Sequence, residues 1–160
     1  METNWDEIFL KLLWVFDKVT FRGWRDIRNT TSVHSLYWVR KGSGTFETED
    51  GVYQVREGEL AYLKPGLHMQ MRSDEEPPLQ ITMVLFDCIR LPYDRTAWGK
   101  PQETRDLGLP FLQRFSGPER DAIEPAFQRI QRRFVPGQQQ RQLACNAVLL
   151  ELLVQLTSPA

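Results

Sequence analysis

Alternation of apolar and polar residues is the main pattern in the middle of the chain. In one segment, Ile81, Met83 and Leu85 fall on one face of a predicted strand, and Gln80 and Thr82 fall on the other. Such segments are found at 34–39, 45–48, 52–55, 61–63, 69–72 and 79–86, the last of which contains the strand just described. Turn-forming residues separate them at 42–44, 50–51, 58 and 65–66. A run of antiparallel strands is therefore predicted.

The N-terminal segment has a helical pattern instead. Asn4 and Glu7 have the spacing of a capping box, and apolar residues recur at helical intervals from Trp5 onwards. A short amphipathic helix is predicted from about Trp5 to Val15. Such a helix is typical of a lid that packs on the core of a domain.

Two more helices are predicted at the C-terminal end. Pro125 fits the first turn of a helix better than its interior, so one helix is predicted to begin near Glu124 and to end before Pro136. The last helix is predicted from about Gln139 to Leu156.

The last helix has a broad apolar surface. One stripe consists of Leu143, Ala147, Leu150, Leu153 and Val154, and three further leucines widen it. A helix that is apolar on more than one side must bury the excess, and pairing with the same helix of a second copy is one way to do so. This stripe is the predicted homodimer interface. Packing against the strands is the alternative.

Composition limits the range of functions. The 160 residues and 41% hydrophobic content favour one domain, and a net charge of −1 with a pI near 6.1 gives no basic excess for binding DNA unaided. Cys88 and Cys145 lack CxxC spacing and are predicted to be buried free thiols in a reducing compartment. No apolar run approaches the length of a membrane span. The protein is therefore expected in the cytoplasm, without a membrane partner.

Catalytic chemistry has little support in the sequence. The chain has two histidines, His34 and His68, and a metal-dependent site would usually need more histidines close together with a glutamate. Neither cysteine lies near a histidine in sequence, and no serine lies in a Gly-x-Ser-x-Gly turn. No catalytic residue, metal ligand or cofactor is assigned on this basis.

The order of the motifs carries a resemblance to a known family. A histidine before a strand is followed by the Gly42-Ser43-Gly44 turn, a hairpin, Gly58-Glu59-Leu60, Pro65-Gly66 and His68. This order resembles a cupin, and more narrowly the N-terminal effector-binding and dimerisation domain of AraC-type transcription regulators, over residues 28–157.

The resemblance implies a fold that is mainly β with α. It is a cupin-like antiparallel β-barrel, or double-stranded β-helix, with a short N-terminal helix and a C-terminal helical pair. A single sensor domain over 1–160 is expected to comprise a helical lid (1–17), the barrel (18–95), and a connector with the dimerising helices (96–160).

The resemblance also implies a function. The chain is expected to bind a small polar effector such as a sugar, to form a homodimer through its C-terminal helices, and to reach DNA only through a helix-turn-helix domain that this chain lacks. In the family an arginine near the position of Arg28 contacts the ligand, and a guanidinium suits hydroxyls or a carboxylate. The candidate ligand-binding residues are Arg28, His34, Trp38, His68, Ile81 and Met83.

Two other interpretations stay open. One is a small cupin isomerase or oxygenase with a degenerate metal site at His34 and His68. The other is a structural cupin that only dimerises.

Overall fold

The computed structural model describes residues 3–28 and 31–158. In this part of the chain, twelve strands are followed by two helices. The strands are β1 (Ile8–Val19), β2 (Arg25–Ile27), β3 (His34–Lys41), β4 (Ser43–Thr48), β5 (Gly51–Arg56), β6 (Glu59–Leu63), β7 (Met69–Ser73), β8 (Gln80–Arg90), β9 (Tyr93–Asp94), β10 (Ala97–Trp98), β11 (Gln102–Glu103) and β12 (Leu112–Arg114). The helices are α1 (Gly117–Arg133) and α2 (Arg141–Thr157).

The strands form two main antiparallel sheets. The large sheet has the order β1-β8-β3-β6-β12, with β11 also paired to β8, and the small sheet has the order β2-β7-β4-β5. The predicted cupin-like, mainly β fold with two C-terminal helices is confirmed. The hydrogen-bonded strands of the described residues form two open sheets rather than one closed ring.

The turn between β3 and β4 passes the chain from the large sheet to the small sheet. Gly42 has a φ of +83°, and a Cβ atom at this position would collide with the carbonyl oxygen of Pro78. Only glycine adopts this positive φ without strain, and only glycine lacks the Cβ atom that would collide.

Two apolar cores lie on opposite faces of the large sheet. The inter-sheet core fills the space between the sheets, and the helix-side core lies between the large sheet and the two helices. The inter-sheet core consists of Trp24, Tyr37, Val39, Phe46, Val55, Ala61, Leu63, Met69, Met71, Leu79, Ile81, Met83 and Leu85. The helix-side core includes Leu12, Leu36, Trp38, Tyr62, Val84, Phe86, Phe127, Ile130, Val148, Leu149, Leu152 and Leu153.

The predicted N-terminal helix is wrong. Trp5–Glu7 forms one 3-10 turn, and Ile8–Val19 is an edge strand paired with β8. The capping-box residues do meet, because Asn4 Nδ2 donates to Glu7 Oε1 over 2.7 Å, but no side chain caps the turn. Ile8 and Leu12 are four residues apart, so their burial fits a period of two as well as a helical period. Pairing with β8 provides hydrogen-bond partners for the backbone N–H and C=O groups of this segment that face β8, which explains why it is a strand.

The start of α1 also differs from the prediction. The helix begins at Gly117 rather than near Glu124, and Pro125 lies in its interior. Pro125 and Asp121 are both exposed, so water can hydrate the Asp121 carbonyl that the proline cannot pair. The apolar face of α1 is buried on the helix-side core, which offsets the cost of the proline. The bounds of α2 match the predicted last helix to within two residues.

Helix α2 covers part of the outer edge of β1. Asn146 Oδ1 accepts a hydrogen bond from the Leu12 N–H over 2.9 Å, and Asn146 Nδ2 donates to the Leu10 carbonyl over 3.2 Å. One side chain thus replaces a neighbouring strand at this edge. No helix of the described residues is long and apolar enough to cross a membrane.

Candidate effector-binding site

Arg28 lies buried at one end of the inter-sheet core. It follows β2 and is only 5% exposed. Its Nη1 donates to the carbonyls of Lys64 (2.8 Å) and Leu67 (2.9 Å), and its Nη2 donates to the carbonyl of Val33 (2.7 Å). Arg28 therefore fixes the Pro65-Gly66 turn to the loop that leads into β3.

The charge of Arg28 has no acidic partner among residues 3–28 and 31–158. Burial lowers the pKa of the guanidinium, although the group remains a cation because its ordinary pKa is so high. The Nε donor is buried and has no hydrogen-bond partner within residues 3–28 and 31–158. A buried cation with a free donor is costly by itself, so it is a natural place for an acceptor group of a ligand.

Tyr37 is the second polar group at this end of the core. Ser35 and Tyr37 are two residues apart on β3 and share the inward face, and the Ser35 hydroxyl lies 3.4 Å from Arg28 Nη2. Tyr37 is 6% exposed, and burial raises the pKa of its phenol while the Arg28 charge opposes part of that rise. The phenol is therefore a neutral group that can donate and accept hydrogen bonds.

The wall around these polar groups is apolar and adaptable. Met69, Met71 and Met83 belong to the inter-sheet core together with Trp24 and Phe46. Methionine has three rotatable side-chain bonds and can repack around guests of different shape.

His34 faces the opposite core. It is 1% exposed and stacks between Tyr62 and Phe86, with ring centroids 5.9 and 5.4 Å away. Its Nδ1 lies 2.7 Å from the Tyr62 hydroxyl, and its Nε2 lies 2.7 Å from the carbonyl of Thr104. Since a carbonyl can only accept, Nε2 carries the proton, and Nδ1 accepts from Tyr62. Burial lowers the pKa of His34 and favours this neutral form.

This hydrogen-bonded chain ties the connector to the large sheet. The Tyr62 hydroxyl also accepts from the Leu107 N–H over 3.0 Å. Thr104 and Leu107 both belong to the segment between β11 and β12, which leads towards α1. His34 and Tyr62 thus join β3 and β6 to the part of the chain that carries the helices.

Cys88 lies beside His34 but is not an activated thiol. Its Sγ is 3.2 Å from His34 Nε2, and burial raises its pKa to about 12. A thiol with so high a pKa stays protonated and is a poor nucleophile. Cys88 and Cys145 are both buried free cysteines, as predicted.

His68 is exposed in the connection between β6 and β7, whereas His34 is buried. The two histidines proposed as a degenerate metal site therefore differ completely in environment. No group of three or more potential metal ligands occurs within residues 3–28 and 31–158.

The predicted ligand-binding residues divide between the two faces of the large sheet. Arg28, Ile81 and Met83 are at the inter-sheet core. Trp38 lies with His34 on the helix side, where it stacks on Phe127 with centroids 5.7 Å apart. The six residues are therefore not brought together at one place, and their part in ligand binding stays a prediction.

Sequence reasoning missed Tyr37 and Tyr62. The alternation of β3 puts Tyr37 on the face opposite His34, and that signal was present in the pattern. The position of Tyr62 next to His34 depends on the pairing of β3 with β6, and no local pattern indicates this pairing.

The two facing antiparallel sheets, with helices on one outer face, make this a cupin-type domain. The family model of the AraC-like ligand binding domain matches residues 18–153, and the chain belongs to this family. No curated protein shows significant sequence similarity to it.

Several solved structures share a distant likeness. An apo form of a ToxT variant from Vibrio cholerae is 10% identical, covers 94% of this chain and 55% of its own, and has a TM-score of 0.49. A cupin protein from Bacteroides fragilis is 11% identical, with coverage of 44% and 60% and a TM-score of 0.38. A cupin-2 domain protein from Shewanella frigidimarina is 14% identical, with coverage of 52% and 72% and a TM-score of 0.35. The present chain thus spans little more than half of the ToxT chain.

Proposed function

We propose that this domain is the effector-sensing part of a transcription regulator, and that its effector binds between the two sheets at Arg28 and Tyr37. The observation that carries the proposal is the buried Arg28 guanidinium: among the described residues it has no acidic partner, and its Nε has no hydrogen-bond partner. A ligand oxygen would accept from Nε and from the Tyr37 hydroxyl. A carboxylate would also supply the missing countercharge, whereas a sugar would supply only hydroxyl oxygens.

The remainder of the effector would pack against Met69, Met71 and Met83. These side chains fill the inter-sheet core, so a ligand between the sheets requires them to change rotamer. The effector we propose is therefore a small molecule with one polar end and an apolar body.

Signal transfer would follow the hydrogen bonds of His34 and Tyr62. β3 carries Tyr37 on one face and His34 on the other, so a shift of β3 on ligand binding would displace the contacts with Thr104 and Leu107. The effector would favour whichever arrangement of the helices it binds more tightly.

The output would be a change in a homodimer. Leu143, Ala147, Leu150 and Val154 form a continuous exposed stripe on α2, with alternating spacings of four and three residues. This spacing is typical of a helix that pairs with another helix. Leu153, also predicted at the interface, packs instead into the helix-side core and is 3% exposed. DNA would be bound by a separate domain, and the free thiols Cys88 and Cys145 agree with a cytoplasmic protein.

A thermal-shift screen tests this proposal. The probes are small linear carboxylates, aromatic carboxylates, pentoses and hexoses, each at millimolar concentration. A ligand present at 100 times its dissociation constant stabilises the folded state by about 2.7 kcal/mol, which raises the melting temperature by several degrees.

Variants at the site decide whether a hit binds there. Arg28→Lys keeps the charge but replaces the whole guanidinium, Nε included, by an ammonium group, and Tyr37→Phe removes only the hydroxyl. Both should weaken a genuine effector about tenfold, while Arg22→Lys, the same change at an exposed arginine, should not. A hit that binds both site variants as tightly as the wild type would refute this location.

A further inference from the structure

A row of hydrogen-bonding side chains crosses the small sheet. The strand register places Arg25 on β2 opposite Arg72 on β7, Arg72 opposite Thr45 on β4, and Thr45 opposite Gln54 on β5. Residues directly opposite one another share a face of the sheet. Four side chains from four strands therefore lie side by side.

This row lies on the outer face of the sheet. The alternate residues Phe46, Val55 and Met71 belong to the inter-sheet core, so the row points away from the proposed effector site. Two neighbouring depressions, of about 440 and 360 Å³, are both lined by Arg25, Thr45 and Arg72. The row thus forms the boundary between two parts of one groove.

Two acidic residues, Asp26 and Glu47, line the larger depression together with the arginines, but neither arginine forms an ion pair with them. Neither arginine has an ion-pair partner elsewhere among residues 3–28 and 31–158, and like charges directly opposite in a sheet destabilise it. Two acids at the rim have other partners: Glu75 pairs with Arg22 at 3.1 Å, and Asp74 accepts from the Ser43 hydroxyl at 2.7 Å.

Thr45 adds a positioned hydroxyl beside the arginines. It is 4% exposed, and its Oγ1 accepts a hydrogen bond from Gln54 Nε2 over 3.2 Å. Because the oxygen is already an acceptor, its proton is free to be donated into the groove.

We infer that this groove is a second ligand site, and that it binds the phosphate group of a small phosphate monoester. A phosphate monoester has about two negative charges at neutral pH and three acceptor oxygens, which matches two guanidinium groups and one hydroxyl. The larger depression continues past Ile27, Gln70 and Glu47, and it has room for the organic part. The site goes beyond the proposed effector site and does not depend on it.

Heteronuclear NMR titration of the ligand-free protein tests this inference. The probes are inorganic phosphate and phenyl phosphate, with sodium chloride at matched ionic strength as the reference. Saturable shifts are expected in the backbone amides of β2, β4 and β7 and in the Arg25 and Arg72 Nε–H signals. Phenyl phosphate should bind more tightly, because the groove extends beyond the anion.

Variants distinguish phosphate binding in this groove from the nonspecific attraction of anions to positive charge. Arg72→Gln should weaken binding about tenfold or more, and Thr45→Val should weaken it less. Arg22→Gln removes an arginine of the same region that is paired with Glu75, and it should leave the affinity unchanged.

Three results would overturn the inference. The first is the absence of saturable shifts beyond those that chloride produces, and the second is an equal loss of affinity in Arg22→Gln and Arg72→Gln. The third is a short DNA duplex that saturates the same amides while phenyl phosphate does not, since that would identify a nucleic-acid surface. The amide spectrum of each variant, compared with the wild type, shows whether it is folded.

Discussion

At the scale of single residues, the Tyr62 hydroxyl is the central group of the helix-side hydrogen bonds. Removing it in Tyr62→Phe leaves the Leu107 N–H and His34 Nδ1 without a partner. Because both are buried, we expect the free energy of unfolding to fall by about 1–3 kcal/mol. Urea denaturation measures this change in the free energy of unfolding. Tyr53→Phe is the matched control, since the structure shows no hydrogen bond of its hydroxyl among the described residues, and equal losses in the two variants would contradict the assignment.

The second residue-scale prediction concerns pH. Burial lowers the pKa of His34 in the folded protein, so as pH falls below about 6.5 the unfolded chain takes up a proton before the folded one does. Stability due to neutral His34 is therefore complete above that pH. It is lost as pH falls towards the folded pKa, by at most about 1.4 kcal/mol per pH unit.

Urea unfolding at several pH values between neutrality and mild acid, on the wild type and His34→Gln, measures this slope. The variant should lose part of the dependence, whereas Gln155→Ala, an exposed change that leaves His34 in place, should retain it. A wild-type slope in His34→Gln would show that other groups cause the pH dependence.

At the scale of elements, the contact of α2 with β1 covers part of the outer edge of the N-terminal strand. Asn146→Ala would leave the Leu12 N–H and the Leu10 carbonyl unpaired, and we expect a loss of about 1–2 kcal/mol. Hydrogen exchange should accelerate at the Leu12 amide in particular. Gln155→Ala, an exposed change on the same helix, should alter neither quantity. If the Leu12 amide exchanges at the wild-type rate in Asn146→Ala, the side chain does not hold this edge.

At the scale of the whole molecule, the exposed stripe on α2 should control assembly. Leu143 and Val154 are 69% and 63% exposed, which is unusual for aliphatic residues that share one stripe of a helix. We expect the wild type to be a dimer by light scattering, and Leu150→Glu to be a monomer because it would place two carboxylates in the apolar interface. Val52→Glu changes another exposed aliphatic residue, on β5, and should remain dimeric. A monomeric wild type at micromolar concentration would refute the interface.

The sequence by itself determined the strands of the middle segment, the last helix and the apolar stripe on that helix, apart from Leu153, which is buried. Each of these follows from a local period, because a strand repeats every two residues and a helix about every 3.6. The period also fixes which residues share a face, so the grouping of His34, Leu36 and Trp38 was predictable.

The tertiary structure decided everything that depends on partners distant in the chain. Residues 8–19 satisfy a helical pattern locally and form a strand only because β8 supplies backbone partners along their length. Local pattern does not say which of two buried faces meets the other sheet, so Trp38 and Met83, both predicted in one pocket, lie in separate cores. The isolation of the Arg28 charge and the alignment of Arg25 with Arg72 likewise arise from strand register, since register brings residues that are distant in sequence into contact.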